Sequence, residues 1–205
     1  MKMLIIIDYQ MGNVNSIHNM IKKIGYNSII SSNPKDLEKA TKIIIPGVGA
    51  FDKGIENMEK LKLIEILNQR VISDKIPTLG ICLGMQLMAQ SSEEGTRNGL
   101  GWIKTKVEKI IPNDPSLKIP HIGWNTIKII KNSKLYKGME NQENRFYFAH
   151  SYIIRPQDDI TVSTTTYGIE FVSSFEKDNI VGVQFHPEKS HKFGMQLLKN
   201  FIENY

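Results

Sequence analysis

At 205 residues, 40% hydrophobic and 23% charged, the chain has the composition of one globular domain with a substantial core, expected to span residues 1–205. The net charge of +5 comes mostly from scattered lysines, and no dense Lys/Arg run is interleaved with aromatics, so nucleic-acid binding is not expected. A single cysteine excludes an internal disulfide framework and a Cys-based zinc cluster; a role for that thiol would be as a reactive group.

The apolar start, residues 1–8, is too short for a signal-peptide core, and no run approaches the ~20 apolar residues that cross a bilayer. A soluble, cytoplasmic protein without membrane contact is expected. Residues 4–8 are Ile-rich and end on Asp8, as a fully buried strand does. Ile17, Met20, Ile21 and Ile24 follow at helical spacing over 13–24, with Gly25 where a C-cap glycine belongs. A short strand at 28–31 precedes Asn33-Pro34, which reads as an N-cap followed by proline at the first helical position. Residues 42–46 form a third strand. Ile55, Met58, Leu61, Ile64 and Leu67 then recur every three residues, predicting one long amphipathic helix.

Residues 78–81 predict another buried strand, with a helix starting near Leu83. Strand and helix thus alternate through the first 90 residues, as in a mostly parallel sheet flanked by helices. The second half changes character. Residues 104–130, 146–154, 160–166, 170–175 and 180–185 are largely strand-like, and a closing helix over 191–202 carries Phe193, Leu197, Leu198 and Phe201. The expected fold is α/β with a β-rich addition in the second half.

The most informative stretch is Gly80-Ile81-Cys82-Leu83-Gly84-Met85-Gln86. Gly-x-Cys-x-Gly between a buried strand and a helix is the cysteine counterpart of a nucleophile elbow, whose glycines allow close backbone packing. At a helix N-terminus the dipole favours the thiolate, and the next N–H, that of Leu83, points toward the oxyanion formed when Cys82 attacks a carbonyl. The alternative, a buried structural cysteine, does not account for the glycines. A thiolate nucleophile needs a base and an orienting group. Of the five histidines, His18 falls within the first helix and His191 opens the last, where it would be solvated. His186 ends a strand and is followed by Pro187-Glu188, so proline stiffens the turn that brings Glu188 to the imidazole. Cys82, His186 and Glu188 complete a catalytic triad.

These segments resemble the class I (triad) glutamine amidotransferases, which carry a nucleophile segment like 80–86 and a base segment like Gly182-Val183-Gln184-Phe185-His186-Pro187-Glu188. Within that family, Asp8-Tyr9 with Gly12-Asn13, Ile45-Pro46-Gly47-Val48-Gly49-Ala50-Phe51, Pro120-His121-Ile122-Gly123-Trp124-Asn125 and Phe146-Tyr147-Phe148-Ala149-His150-Ser151-Tyr152 are similar to the glutaminase subunits of imidazole glycerol phosphate synthase. The resemblance covers nearly the whole chain and leaves almost nothing over for a fused synthase, so the glutaminase alone is expected. Pro46-Gly47-Val48-Gly49 lacks the spacing and lysine of a nucleotide loop; the resemblance implies a second oxyanion wall, with an N–H near Val48 or Gly49 opposing that of Leu83. It likewise implies that Gln86, Glu94, His150, Ser151 and Tyr152 contact the amino-acid end of the substrate, although Glu94 reads equally as solvated surface. His121 and Trp124 read as core of the β-rich part or as partner-facing residues, and Lys189 as meeting a partner or water.

The implied activity is hydrolysis of L-glutamine to glutamate and ammonia through a Cys82 thioester, with neither metal nor organic cofactor. The implied partner is a β/α-barrel synthase forming a heterodimer, quiet until that partner binds its nucleotide substrate. It would use the ammonia to make imidazole glycerol phosphate and an aminoimidazole carboxamide ribotide in histidine biosynthesis. Three other readings of the residues remain: a stand-alone cysteine hydrolase, a non-catalytic binding subunit, and a paralogue supplying amidino groups of surface sugars. The last is hinted at by 164–175 and 189–194.

Overall fold

The computed structural model describes residues 3–140 and 142–205; Met1 and Lys2, which begin the apolar N-terminal run, and Asn141 lie outside it. The first half runs β1 (Leu4–Ile7), α1 (Val14–Lys23), β2 (Ile29–Ser31), α2 (Pro34–Leu37), β3 (Lys42–Ile45), α3 (Phe51–Lys60), α4 (Leu63–Asn68), β4 (Thr78–Ile81) and α5 (Leu83–Gln86). The second half adds β5 (Ser91–Ser92), β6 (Lys106–Lys109), β7 (His121–Ile129), β8 (Asn144–His150), β9 (Tyr152–Ile154), β10 (Thr161–Tyr167), β11 (Ile169–Lys177), β12 (Ile180–Val183) and α6 (His191–Asn204).

Nine strands form one sheet in the order β2-β1-β3-β4-β12-β11-β10-β7-β8, and β5-β6-β9 form a second, small sheet. The pairs from β2 to β12 are parallel, and those from β12 to β8 antiparallel. The α/β architecture expected from the sequence, a mostly parallel sheet flanked by helices, is therefore present, with its β-rich addition. The apolar runs are continuous because both faces of the parallel part are covered. Ile6 and Ile44 join a core with Leu197, Leu198 and Phe201 of α6, while their neighbours Ile5, Ile7, Ile43 and Ile45 join a second core with Ile55, Met58 and Leu67.

The helix ends follow their cues: Asn13 caps α1 by accepting from Ser16 N, Asn33 caps α2 by accepting from Lys35 N, and Gly25 takes φ +91°. The long helix expected over 55–67 is broken. Lys62 adopts a left-handed conformation (φ 56°), separating α3 from α4, which then passes into a π-helical turn at Gln69–Ser73. A strict repeat of three falls about 60° short of a full turn at each step, so one straight helix would carry those apolar residues off the core; the break resets the facing. The strand expected over 104–130 is also interrupted. Only β6 and β7 form, and the stretch between them carries Pro112, Pro115 and Pro120.

Candidate active site

Cys82 sits where β4 ends and α5 begins, with φ 52° and ψ −110°, a conformation that a non-glycine residue holds only when its surroundings impose it. Two contacts impose it. Cys82 N–H donates to Val183 O at 2.8 Å, and the backbone of α5 lies so close to the end of β3 that a Cβ on Gly84 would stand 1.9 Å from Ile45 O. The expected elbow is present; the helix after it is a single turn, so it carries little of the macrodipole expected to assist the thiolate.

Because β4 and β12 are parallel neighbours with Ile81 opposite Val183, the residues following each strand emerge at the same sheet end. His186 is held there by an N–H···O bond to Tyr147 O at 2.8 Å, and its carbonyl accepts from Ser190 Oγ at 2.6 Å. Pro187 starts a one-turn helix that brings Glu188 back to the ring, where Glu188 Oε1 accepts from His186 Nδ1 at 2.9 Å. Both side chains are almost wholly buried, at 1% and 2% exposure. His186 Nε2 is not in full hydrogen-bonding geometry with any group, yet it stands close enough to Cys82 for the sulfur to raise the ring both by charge and by a hydrogen-bonding contribution. Burial by itself would lower the His186 pKa; the negative charges of Cys82 and Glu188 outweigh it and carry the imidazole up to about 10.

Cys82 opens on a cavity of about 280 Å³, at the small end for ligand pockets. All five residues expected to contact substrate, Gln86, Glu94, His150, Ser151 and Tyr152, line it, as do Val48, Gly49 and Leu83. His186 and Glu188 lie behind the wall. A larger open groove of about 1220 Å³ along α4 and Trp102 contains neither cysteine nor histidine, so the smaller cavity is the candidate site.

Three expectations are corrected in detail. Leu83 N–H is not presented to a ligand: it donates to Gly47 O at 3.4 Å, so the carbonyl of the glycine-rich loop occupies the donor expected for the oxyanion. Gln86 spends both hydrogens of its amide inside the protein, on Tyr152 O at 3.0 Å and Gln184 Oε1 at 3.1 Å, which leaves its own oxygen for a ligand. His150 has both ring nitrogens engaged. Its Nδ1 must donate to Tyr152 O at 2.9 Å, so Nε2 accepts from His121 Nδ1 at 2.9 Å, and His121 Nε2 in turn faces Asn125 Nδ2 at 3.3 Å. Burial lowers both rings, His150 to about 3 and His121 to about 4, so the pair is neutral at pH 7.

Glu94 is exposed, yet it reaches the N-terminus of α3, where its Oε2 accepts from Phe51 N at 2.9 Å. His121 is core, stacked on Tyr167 at 4.0 Å, whereas Trp124 is 40% exposed and stacks on His191 at 5.6 Å. Lys189 Nζ lies 5.4 Å over the Tyr147 ring. Two residues escaped the sequence reading. Tyr9, buried and pushed up first by burial and then by Cys82, keeps its proton and donates to Pro46 O at 2.5 Å. Gln184 reaches the cysteine sulfur; a glutamine continuing an apolar strand beside His186 was the available signal.

Residues 5–205 match the family described as "Glutamine amidotransferase class-I", and the chain belongs to that family. Among curated relatives it is 54% identical over 203 residues to "Imidazole glycerol phosphate synthase subunit HisH 2" of Methanococcus maripaludis, spanning 98% of this chain and 99% of that one. It is 46% identical over 201 residues to "Imidazole glycerol phosphate synthase subunit HisH 1" of Campylobacter jejuni, with coverage of 98% and 99%. Of solved structures, "Crystal structure of glutamine amidotransferase" superposes with a TM-score of 0.75 at 15% identity over 97% of both chains. "Structure of PurLQS from Thermotoga maritima" gives 0.75 at 16% identity over 98% and 97%. At such identities the likeness concerns the fold.

Proposed function

We propose that the chain is one glutaminase domain that hydrolyses L-glutamine to glutamate and ammonia and delivers the ammonia to a β/α-barrel synthase subunit in histidine biosynthesis. The observation that carries this reading is Cys82 held at positive φ at the mouth of the cavity, one parallel strand away from a buried His186–Glu188 pair. In the proposed reaction His186 Nε2 accepts the Cys82 proton, and Sγ attacks the side-chain amide carbon of glutamine. The resulting imidazolium protonates departing ammonia, leaving a γ-glutamyl thioester, and His186 then deprotonates the water that hydrolyses it. Glu188 fixes the tautomer and balances the charge on the ring.

The Gly47–Leu83 hydrogen bond then belongs to a resting state. Rotation of the Gly47–Val48 peptide would withdraw the carbonyl and turn the Val48 N–H toward the point that Leu83 N–H faces, giving two donors where a negative oxygen forms. A partner is the natural trigger, because Val48 (47% exposed) and Ile122 (61%) line the same cavity, with the exposed Trp124 two residues further along β7. That apolar rim also supports a docking role, since ammonia made for synthesis and released into water at pH 7 would be protonated and lost.

The deciding experiment is ammonia release from glutamine by the purified chain, alone and with its barrel partner and that partner's nucleotide substrate. The proposal expects low activity alone, strong activation by the complex, and none with Cys82→Ala. Full activity without a partner would instead identify a stand-alone hydrolase. Failure to rescue a histidine auxotroph, with partner-dependent glutaminase activity intact, would assign the ammonia to another acceptor.

A further inference from the structure

Gln184 follows the last residue of β12 and is fully buried. Its Nε2 lies 3.6 Å from Cys82 Sγ, and its Oε1 lies 3.1 Å from Gln86 Nε2. The direction of these contacts follows from a sequence of forced choices. The carbonyl of Tyr152 can only accept, so the group of Gln86 at 3.0 Å from it is the NH2. The second hydrogen of that NH2 faces Gln184, which must therefore offer its oxygen. Only one end of the Gln184 amide is then left for the sulfur, and it is the donor.

That polarity matters because the other contact of the sulfur works in the opposite sense. Sγ lies 3.8 Å from Ala149 O, an acceptor that holds the S–H form and repels a negative sulfur. The single turn of α5 offers little dipole to offset it, and the titratable groups that face the sulfur are the His186 ring, which favours the charge when protonated, and the buried, protonated Tyr9. An N–H directed at the sulfur favours the ionised form, since a donor gains more from a charged acceptor than from a neutral one. We propose that Gln184 is a catalytic residue that holds Cys82 as the thiolate through its Nε2–H···Sγ contact, and that Gln86 is the positioning residue that fixes which end of the Gln184 amide faces the sulfur. No bond to Gln184 is made or broken. The thiol proton passes to His186 Nε2, which is buried and unpartnered, and the Gln184 amide stabilises the charge left behind.

This assignment rests on Cys82 as the nucleophile of the proposed reaction, yet it can be tested without turnover. The chain has a single cysteine, so alkylation by iodoacetamide and the ultraviolet absorbance of the thiolate, followed against pH on the purified full chain, report on Sγ alone. Gln184→Met keeps the length and removes the donor. It is expected to raise the alkylation midpoint by about one pH unit, an approximately tenfold slower reaction below the midpoint. Gln184→Glu keeps an acceptor for Gln86 but turns an oxygen on the sulfur, and should raise the midpoint further. Gln86→Met leaves Gln184 in place with its amide free to turn. It should produce a smaller shift that vanishes in the Gln184→Met background, because the two act through one contact. Midpoints that stay at the wild-type value in Gln184→Met and Gln86→Met proteins retaining their circular dichroism and cooperative melting would overturn the proposal. Shifted midpoints in a protein that never turns over glutamine would leave the contact standing and discard the reaction.

Discussion

Replacing Glu188 by glutamine separates the charge of the buried carboxylate from its shape. Oε1 accepts from His186 Nδ1 at 2.9 Å while Oε2 has no partner, so a glutamine with its oxygen at the Oε1 position keeps the imidazole tautomer. What it loses is the ionic part of the bond. A hydrogen bond to a charged group contributes about 1.5–3 kcal/mol, against roughly 1 kcal/mol for a neutral one, so the imidazolium formed during the reaction loses on the order of 1–2 kcal/mol. At ~1.4 kcal/mol per factor of ten, kcat should fall about 5- to 30-fold, with KM for glutamine within about twofold because Glu188 does not line the cavity. The alkaline limit of the pH profile should also move down, since one of the negative charges that carry His186 up to about 10 is gone. Steady-state ammonia release from the partner-saturated complex between pH 6 and 10 measures all three quantities. An unchanged kcat, or a raised KM with kcat intact, would refute the role given to this carboxylate.

The remaining predictions concern stability and the loop. His186 is raised in the folded state, so its stabilising contribution is complete below its unfolded value near 6.5 and is lost as pH rises toward about 10. Urea titrations should show that decline, and Cys82→Ser should move it to lower pH by removing one of the charges. His150 and His121 behave in the opposite sense. Buried neutral, at about 3 and about 4, they make the protein lose stability as pH falls below ~6.5, by up to ~1.4 kcal/mol per pH unit for each ring; His121→Gln should reduce the slope, and an unchanged slope would contradict it. Tyr9→Phe removes the donor from the buried Pro46 carbonyl and should cost about 1–3 kcal/mol in chemical denaturation. Retention of wild-type stability would show that water or a shifted backbone satisfies that carbonyl.

The parallel core was legible because Ile-rich runs such as 4–7 and 43–45 have no polar face to offer solvent, and the elbow because glycines flank Cys82 at a strand-to-helix junction. His-Pro-Glu was legible as a base with its carboxylate since both residues come from one short turn. Other features depend on things that residue types do not encode. The orientation of the Gly47–Val48 peptide is a backbone choice among conformers that the same glycines permit. The commitment of Gln86 and His150 to protein partners depends on Gln184, 98 residues away in the chain, and on His121, placed opposite His150 by the register of β7 against β8. The break at Lys62 was not legible because a repeat of three looks helical locally, while its drift of about 60° per step tells only over several turns. Trp124 is outward because β7 alternates, and its apolar face meets His191 rather than the interior.

The adjacency of β4 and β12 also has a consequence for how the enzyme comes into being. Cys82 and its Gln184 contact are 102 residues apart, and β12 inserts between β4 and β11, so β4 remains an unpaired edge until the chain is nearly complete. Until β12 is added, Cys82 lacks the His186–Glu188 pair and the Gln184 amide, all of which follow that strand. Closing the centre of the sheet is therefore what brings the base and its carboxylate to the cysteine, which ties assembly of the site to completion of the fold.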